Sequence, residues 1–209
     1  MSLDFLAVAA GDEVIARSPM EPCARAAGAR FAIRGGWNIA VAYPRAPSGP
    51  VGFSDSSHLR TLELQGESEE LDTAAGLPLP LGTALRVDDA WWCRLTATRA
   101  LIVGGSADVP GALDVTSNFA ALTITGPAAI ETFARFCALD LRLTVTPVGA
   151  LRPGSIGRQP GILIHEARER YLILFGWATG EYMWSIVADA AEHLGGGPIG
   201  ADALEPLDA

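Results

Sequence analysis

The chain has 209 residues, of which 49% are apolar, and its 24 acidic and 15 basic residues give a formal net charge of −9. All of the basic residues are arginines, so chemistry that needs a lysine amine is excluded, and no basic face for nucleic acid is visible. No apolar run reaches the roughly 18 residues that a membrane-spanning helix requires.

The first elements in chain order are a lead-in and a hairpin. Residues 1–16 are expected to form a short lead-in with a few helical residues, and MSLDFLAVAAGDE lacks the basic region of a signal peptide. Arg30–Arg34 alternates apolar and polar side chains, as a half-buried strand does. Gly35–Gly36 suits a tight two-residue turn, and every second residue of Trp37–Val41 lies on one face of the next strand. The segment predicts a β-hairpin in which the indole of Trp37 lies in a core or at the edge of a pocket.

The middle of the chain predicts three strands and one short helix. His58–Gln65 has a strand pattern, and Glu67–Ala75 has a helical one. The GLPLPLG that follows ends the helix because proline lacks an amide donor. AWWCRL and RALIVGG predict two strands joined by a polar turn at Thr96–Thr98. Asp108–Asp114 is predicted to be a connector.

The second half begins with a strand and a helix. NFAALTITG (118–126) alternates apolar and polar residues, and Gly126–Pro127 then breaks the strand before a helix. The predicted apolar positions of this helix are Ile130, Phe133, Ala134 and Cys137.

A hairpin and a longer helix complete the second half. GILIHE (161–166) and RYLILFG (170–176) predict two strands joined by a polar turn. Thr179 is the expected N-cap of the last helix, which Gly195–Gly197 ends, and PIGADAL forms a last strand or a tail. The predicted apolar positions of the helix are Met183, Ile186, Val187, Ala190 and Leu194.

The order of strand, helix, strand, strand, helix predicts a split βαβ unit. The expected fold class is therefore α+β, with two ferredoxin-like halves that share a core. We expect one domain over residues 1–209, with an abbreviated first half at 17–105 and a second half at 114–200.

Two clusters of polar residues are candidates for chemistry. Asp55–His58 combines Asp, Ser and His, but triad members normally come from distant segments, so a turn capped by side chains is predicted. Asp88 and Asp89 precede Trp91 and Trp92, and two interpretations stay open. One is a strand-entry turn with one buried and one exposed indole, and the other is a carboxylate beside an aromatic face that receives a flat heterocycle. No catalytic residue is assigned.

The cysteines and histidines are too dispersed to predict a metal site. No CxxC pair is present, and the odd number of cysteines fits neither a disulfide framework nor a zinc site, so free thiols are expected. The residues concerned are Cys23, Cys93, Cys137, His58, His165 and His193.

Four stretches of the chain resemble the glycine-cleavage T-protein family, the tetrahydrofolate-dependent aminomethyltransferases. They are RSPMEPCARAAGARFAIRGGWNIAVAYP, VGFSDSSHLRTLELQG, LDVTSNFAALTITGPAAIETF and RYLILFGWATGEYMWSIVADAAEHLGGGPIGADAL. The resemblance covers almost the whole chain. It implies a T-protein-like fold and makes tetrahydrofolate a candidate cofactor.

The chain departs from the family at the positions that would bind folate. The family's longer middle segment carries an acidic residue that acts on folate. Here that segment is shortened, and Asp88 or Asp89 is the counterpart that the resemblance implies. The family's later strand bears a pterin-binding glutamate where this chain has Leu172. Trp92 and Trp37 are the aromatic candidates for a folate pocket.

Other stretches are similar to the gamma subunit of heterotetrameric sarcosine oxidase, a supporting chain of comparable length. They are CALDLRL, GLPLP and EYMWSIVADAAE. This resemblance implies an accessory subunit of an amine-demethylating assembly in one-carbon metabolism, with other protein subunits, including a flavoprotein, as partners. The alternative is a stand-alone tetrahydrofolate-dependent aminomethyl- or methyltransferase.

The expected partner surfaces are the segments Leu77–Trp92 and Arg142–Arg158, because interface centres combine apolar and aromatic residues with arginine. A cytoplasmic location is expected, since no signal peptide is predicted. Neither nucleic acid nor a membrane is an expected partner.

Overall fold

The computed structural model describes residues 14–45, 47–204 and 207. In chain order the strands are β1 (Ala16–Arg17), β2 (Arg30–Arg34), β3 (Trp37–Ala42), β4 (Gly52–Asp55), β5 (Thr61–Gln65), β6 (Ala84–Val87), β7 (Ala90–Thr96), β8 (Arg99–Gly104), β9 (Leu113–Asp114), β10 (Phe119–Thr125), β11 (Leu151–Ile156), β12 (Gln159–Ala167), β13 (Arg170–Gly176) and β14 (Gly197–Pro198). The α-helices are α1 (Glu21–Ala26), α2 (Ser68–Ala75), α3 (Ala129–Ala134) and α4 (Gly180–Glu192), and short 3₁₀ turns lie at Thr116–Asn118, Trp177–Thr179 and Ala201–Ala203. Most of the lead-in predicted at 1–16 lies outside the described residues.

β2 and β3 form the predicted hairpin. Gly35 and Gly36 both have positive φ (55° and 78°), which a residue without a side chain adopts at little cost and which reverses the chain within two residues. β1 pairs in parallel with β3 and completes a three-stranded sheet of order β1-β3-β2. Trp37 is half-buried, and its ring centroid lies 6.0 Å from that of Trp177. The hairpin prediction is confirmed.

A six-stranded sheet of order β11-β12-β13-β10-β4-β14 contains the strands of the second half. β10 lies antiparallel to both β13 and β4, so the predicted strands 118–126 and 170–176 are neighbours. The order β12-β13-β10-β4 is that of a ferredoxin-like sheet. Its fourth strand, β4, comes from the earlier part of the chain and pairs with β10 through buried Phe53 and Ile124.

The five-stranded sheet repeats this arrangement in a shorter form. Its order is β6-β7-β8-β5-β9, with β5 antiparallel to both β8 and β9. α2 follows β5 and begins with a capping box, in which Glu67 and Glu70 bond each other's backbone N–H groups. Residues 105–112, between β8 and β9, contain no helix, so this unit is an abbreviated copy of the other.

The two large sheets pack face to face, with helices on the outside. The core between the sheets draws buried residues from β6 to β8 on one side and from β10 to β13 on the other. α1, α3 and α4 cover the outer face of the six-stranded sheet, and α2 covers that of the five-stranded sheet. The fold is therefore α+β, with two ferredoxin-like halves that share a core. None of the helices in the described ranges has the length and apolar character of a transmembrane span.

Two details of the α3 and β5 predictions are wrong. β5 begins at Thr61 and not at His58, because a hydrogen-bonded turn occupies residues 56–59. On α3, Phe133 is buried as predicted, but Ile130 and Ala134 are exposed. This helix has only six residues, and the contact between the rings of Phe133 and Tyr171, at 5.4 Å, fixes which face points inward.

Two details of the α4 prediction are also wrong. Ile186 is only half-buried, whereas Trp184 is buried and packs edge-on against Phe53 at 5.0 Å. Thr179 precedes the helix, but its hydroxyl donates to the carbonyl oxygen of Gly176 (2.8 Å) and does not cap the helix amides. The 3₁₀ turn before α4 places that carbonyl within reach of the hydroxyl.

Candidate functional site

Asp88 and Asp89 form the turn between β6 and β7. Val87 pairs with Ala90 across this turn, and Asp88 has the left-handed backbone conformation that a tight hairpin uses (φ 52°). Both aspartates are exposed. Their local structure is thus the strand-entry turn that the sequence allows.

The two tryptophans that follow this turn are both buried, one on each face of the five-stranded sheet. Trp91 belongs to the core between the sheets, and Trp92 belongs to the core beneath α2. The expectation of one exposed indole is wrong because α2 covers the face that a two-layer arrangement would leave open.

The candidate residues Asp88, Asp89 and Trp92 line one cavity of about 330 Å³. The last turn of α2, the end of β8 and the loop at residues 105–110 complete its wall. The cavity therefore combines three carboxylates, the third being that of Asp108, with an indole and a helix C-terminus, which carries partial negative charge. Trp37 is not part of it, and lines a separate cavity of about 700 Å³ together with His58.

A buried carboxylate between the two sheets was not recognised in the sequence. Glu166, at the end of β12, accepts a hydrogen bond from Trp91 Nε1 (3.0 Å) and pairs with Arg170 Nε (2.9 Å). Burial raises the pKa of Glu166, and the contacts with Arg170 and Trp91 act in the opposite direction. The strand alternation of GILIHE is the signal that could have found it, because it puts Glu166 on the same face as the buried Ile164.

Leu172 lies in the core between the sheets and is fully buried. Its neighbours in the six-stranded sheet are Thr123 on β10 and Ile164 on β12. The apolar residues that fill the space around it include Trp91, Cys93, Leu101, Val103, Leu151 and Leu174. Apolar packing therefore occupies the position at which the resemblance implies a pterin-binding glutamate.

The Asp55–His58 segment is a capped turn, as predicted. Asp55 Oδ1 accepts the backbone N–H of Ser57 at 3.0 Å. Burial, with a smaller contribution from Arg34, lowers the pKa of His58 to about 4, so its imidazole is neutral at pH 7. His58 lines the Trp37 cavity and makes no hydrogen bond to Asp55 within the described ranges.

Within residues 14–45, 47–204 and 207, no three His, Cys, Asp or Glu side chains are grouped to hold a metal ion. Cys23, Cys93 and Cys137 are free thiols, and burial raises the pKa of each. His165 is fully buried, and its Nδ1 lies 2.8 Å from the carbonyl oxygen of Thr146. Because a carbonyl oxygen can only accept, Nδ1 carries the proton and donates it in this contact. The ring of His165 therefore has a structural role.

Two loops that bond to each other, the loop before β6 and the loop before β11, both carry exposed apolar side chains. The backbone N–H of Leu151 bonds the carbonyl of Gly82 (3.1 Å), and the N–H of Ala84 bonds the carbonyl of Gly149 (2.8 Å). These bonds hold the two loops together beside an exposed set that we call the apolar patch. The apolar patch consists of Leu81, Leu143, Val145 and Val148.

The solved structures that share this fold include the following two. One is heterotetrameric sarcosine oxidase from Corynebacterium sp. U-96 in complex with pyrrole 2-carboxylate, with a TM-score of 0.67 and 20% identity over 91% of this chain and 98% of that chain. The other is glycine cleavage system aminomethyltransferase T from Bartonella henselae, with a TM-score of 0.71 and 16% identity over 90% of this chain. The matched part is 60% of the length of that aminomethyltransferase chain. No protein-family model and no curated protein matches the sequence. The chain therefore has a T-protein-like fold, shared with a sarcosine oxidase chain over nearly that chain's full length.

Proposed function

We propose that the chain is an accessory subunit of an amine-demethylating assembly in one-carbon metabolism, located in the cytoplasm. The observation that carries this proposal is the position of Leu172. Where the T-protein resemblance implies a carboxylate that holds the pterin, this chain has a fully buried leucine in a filled core. A fold that has lost its ligand carboxylate keeps its shape and surfaces, and those are what a supporting subunit uses.

The structural match to a sarcosine oxidase chain supports the same role. The chain covers 98% of the matched chain, whereas it covers 60% of the aminomethyltransferase. Similarity along a whole chain of an enzyme with four subunits agrees with the resemblance to the gamma subunit. The proposed partners are therefore other protein subunits, with a flavoprotein among them, and neither nucleic acid nor a membrane.

The apolar patch is the proposed contact surface. It includes residues from both segments that the sequence suggested. Leu81 lies in the segment Leu77–Trp92, and the other three residues of the patch lie in the segment Arg142–Arg158. Arg152 binds the carbonyl oxygens of Leu151 and Val145, which fixes the backbone beneath the patch. Exposed apolar residues on a fixed backbone with arginine beside them have the composition of an interface centre.

Affinity purification of the tagged full-length chain from its native host tests the role. We expect a flavoprotein to co-purify in near-equimolar amount. The double variant Leu81→Asp/Val148→Asp should lose most of that partner, because two charges would be buried at the interface centre. Leu113→Asp is the matched control, since Leu113 is as exposed as Leu81 but lies on β9.

Two results would contradict this proposal, the first its accessory role and the second its contact surface. The first is a chain that elutes alone and turns over a methyl or aminomethyl donor with tetrahydrofolate. The second is a partner whose amount falls equally with Leu113→Asp and with the double variant, which would exclude the apolar patch as the contact.

A stand-alone tetrahydrofolate-dependent aminomethyl- or methyltransferase is the second candidate. The cavity that brings Asp88, Asp89 and Trp92 together favours it, because a carboxylate beside an indole can hold a flat heterocycle. Calorimetric titration with tetrahydrofolate is the test. Micromolar binding that Asp88→Asn/Asp89→Asn abolishes, and that Asp189→Asn on α4, outside this cavity, leaves intact, would replace the accessory role with this one.

A further inference from the structure

The cavity lined by Trp37 lies where the β2–β3 hairpin meets the connections between the two large sheets. The hairpin contributes Arg34 and Trp37, the turn before β5 contributes His58 and Arg60, and the 3₁₀ turn after β9 contributes Thr116. The volume, about 700 Å³, is within the range of small-ligand pockets. The apolar patch shares none of these side chains, so this cavity is separate from the proposed contact surface.

Two flat, uncharged rings line this cavity. Trp37 is half-buried against Trp177, and His58 carries no charge at pH 7 because burial and Arg34 disfavour its protonated form. Neither the indole N–H nor the imidazole nitrogens form a hydrogen bond with other described residues. Both rings therefore offer an apolar face and polar edge atoms to a ligand.

Two guanidinium groups lie at the same cavity, and their present partners are replaceable. Arg34 pairs with Asp202, and Arg60 pairs with the almost fully exposed Asp108 and also donates to the carbonyl oxygen of Ala107 (3.0 Å). Exposed ion pairs of this kind contribute little to stability, so a ligand carboxylate can take the place of either aspartate. Asp114 is the acidic residue of the lining, and its Oδ1 already accepts the backbone N–H two residues further on (2.9 Å).

We propose that this cavity binds a small organic anion with a flat ring, of the aryl carboxylate class. The carboxylate would bond to Arg34 and Arg60, whose planar guanidinium groups match its geometry, and the ring would lie against Trp37 and His58. Two guanidinium groups repel a cationic ligand, and an anion without a ring would leave the aromatic faces uncovered. The inference concerns this chain alone and holds with or without a partner subunit.

Titration with three probes, followed by the side-chain NMR signals of Trp37 and His58, tests the ligand class. Benzoate carries both the ring and the charge, benzamide lacks the charge, and acetate lacks the ring. Benzoate should bind with a dissociation constant on the order of 1 mM, in keeping with its small size, and benzamide and acetate should bind at least about tenfold more weakly. Saturation with benzoate should also raise the pKa of His58, because a nearby anion stabilises the imidazolium.

Matched arginine variants test the placement of the anion. Arg34→Gln and Arg60→Gln should each weaken benzoate binding about tenfold, since each removes a charge-assisted hydrogen bond. Arg30→Gln should leave it unchanged, because Arg30 lies on the same hairpin and near the same Asp202 but outside the lining. The proposal is wrong if benzamide or acetate binds as tightly as benzoate, if Arg30→Gln has the same effect as the other two, or if the His58 pKa does not rise. Wild-type benzoate titration reports on the proposal without depending on the folding of any variant.

Discussion

Replacing Leu172 with glutamate would show whether the space between the two sheets is a closed apolar core. The side chain is fully buried, and the apolar residues around it come from both sheets. A glutamate there restores the residue type that the T-protein resemblance implies. If the core is closed, the change should destabilise the protein severely and create no ligand site.

Three contributions set the size of this effect. Loss of the buried leucine costs about 2 kcal/mol in transfer free energy. Keeping the carboxyl neutral at pH 7, far above its ordinary pKa, costs about 4 kcal/mol. A buried carboxyl without a hydrogen-bond partner costs about 1–3 kcal/mol more. The total of about 7–9 kcal/mol is comparable to the whole stability of a typical domain.

Urea denaturation of matched variants separates these contributions. Leu172→Gln lacks the ionisation cost and should lose about 3–5 kcal/mol of unfolding free energy, and Leu172→Met should lose less than about 1.5 kcal/mol. Burial should raise the folded-state pKa of the new glutamate. The unfolding free energy of this variant is therefore highest below the unfolded pKa of about 4.3, where the carboxyl is protonated in both states, and it falls as the pH rises through the folded value. Leu172→Glu should therefore approach Leu172→Gln in stability at pH 5 and fall well below it at pH 7.

A stable Leu172→Glu variant would refute this reasoning. If its unfolding free energy matched the wild type at pH 7, the space between the sheets would have to admit water. Gain of tetrahydrofolate binding by that variant would be stronger evidence against a closed core. Either result would remove the observation that carries the accessory role.

Three further predictions concern stability and use urea or thermal denaturation. Phe133→Ala should cost about 3–5 kcal/mol and lower Tm by roughly 10 °C, whereas half-buried Phe136→Ala should cost less than half as much. For Glu166, burial raises the folded-state pKa, so the stabilising contribution of its protonated carboxyl group is complete below about pH 4.3 and is lost as the pH rises through the folded value. The unfolding free energy of Glu166→Gln minus that of the wild type should therefore increase as the pH rises above about 4.3, and a decrease over the same range would mean that the arginine pair dominates. Gly200→Ala should cost at least about 2 kcal/mol, because its Cβ would lie 2.0 Å from a backbone oxygen, while Gly176→Ala, with nothing within 4 Å, should be nearly neutral.

Local patterns predicted the secondary structure well because each depends on a few neighbouring residues. The Gly35–Gly36 turn, the short helix predicted at Glu67–Ala75 and the strand at 119–125 all follow from short-range rules of backbone conformation and side-chain alternation. The same rules were wrong on α3, where six residues are too few for a periodicity to define the buried face.

The candidate site was harder to predict because it depends on which layer covers which face. Alternation assigns Trp91 and Trp92 to opposite faces of a strand, but it does not reveal that α2 covers one face and a second sheet the other. Glu166 was overlooked for the same reason, since its partner Trp91 lies far away in sequence and meets it only when the sheets pack. The place of β4 in the six-stranded sheet is likewise set by a long-range pairing.

The closed core and the apolar patch have a common physical basis in the packing of the two sheets, because the loops before β6 and β11 bond to each other where the sheets meet. An open ligand cavity between the sheets would leave buried side chains with fewer contacts, whereas the filled core holds the two halves in one fixed relation. The backbone bonds from Gly82 to Leu151 and from Gly149 to Ala84 span the same two halves at the edge of that core. The loops that carry Leu81 and Val148 are therefore ordered before any partner arrives, which lowers the entropy lost on binding. The buried Leu172 thus agrees with the proposed role, in which the surface, and not the interior, makes the functional contacts.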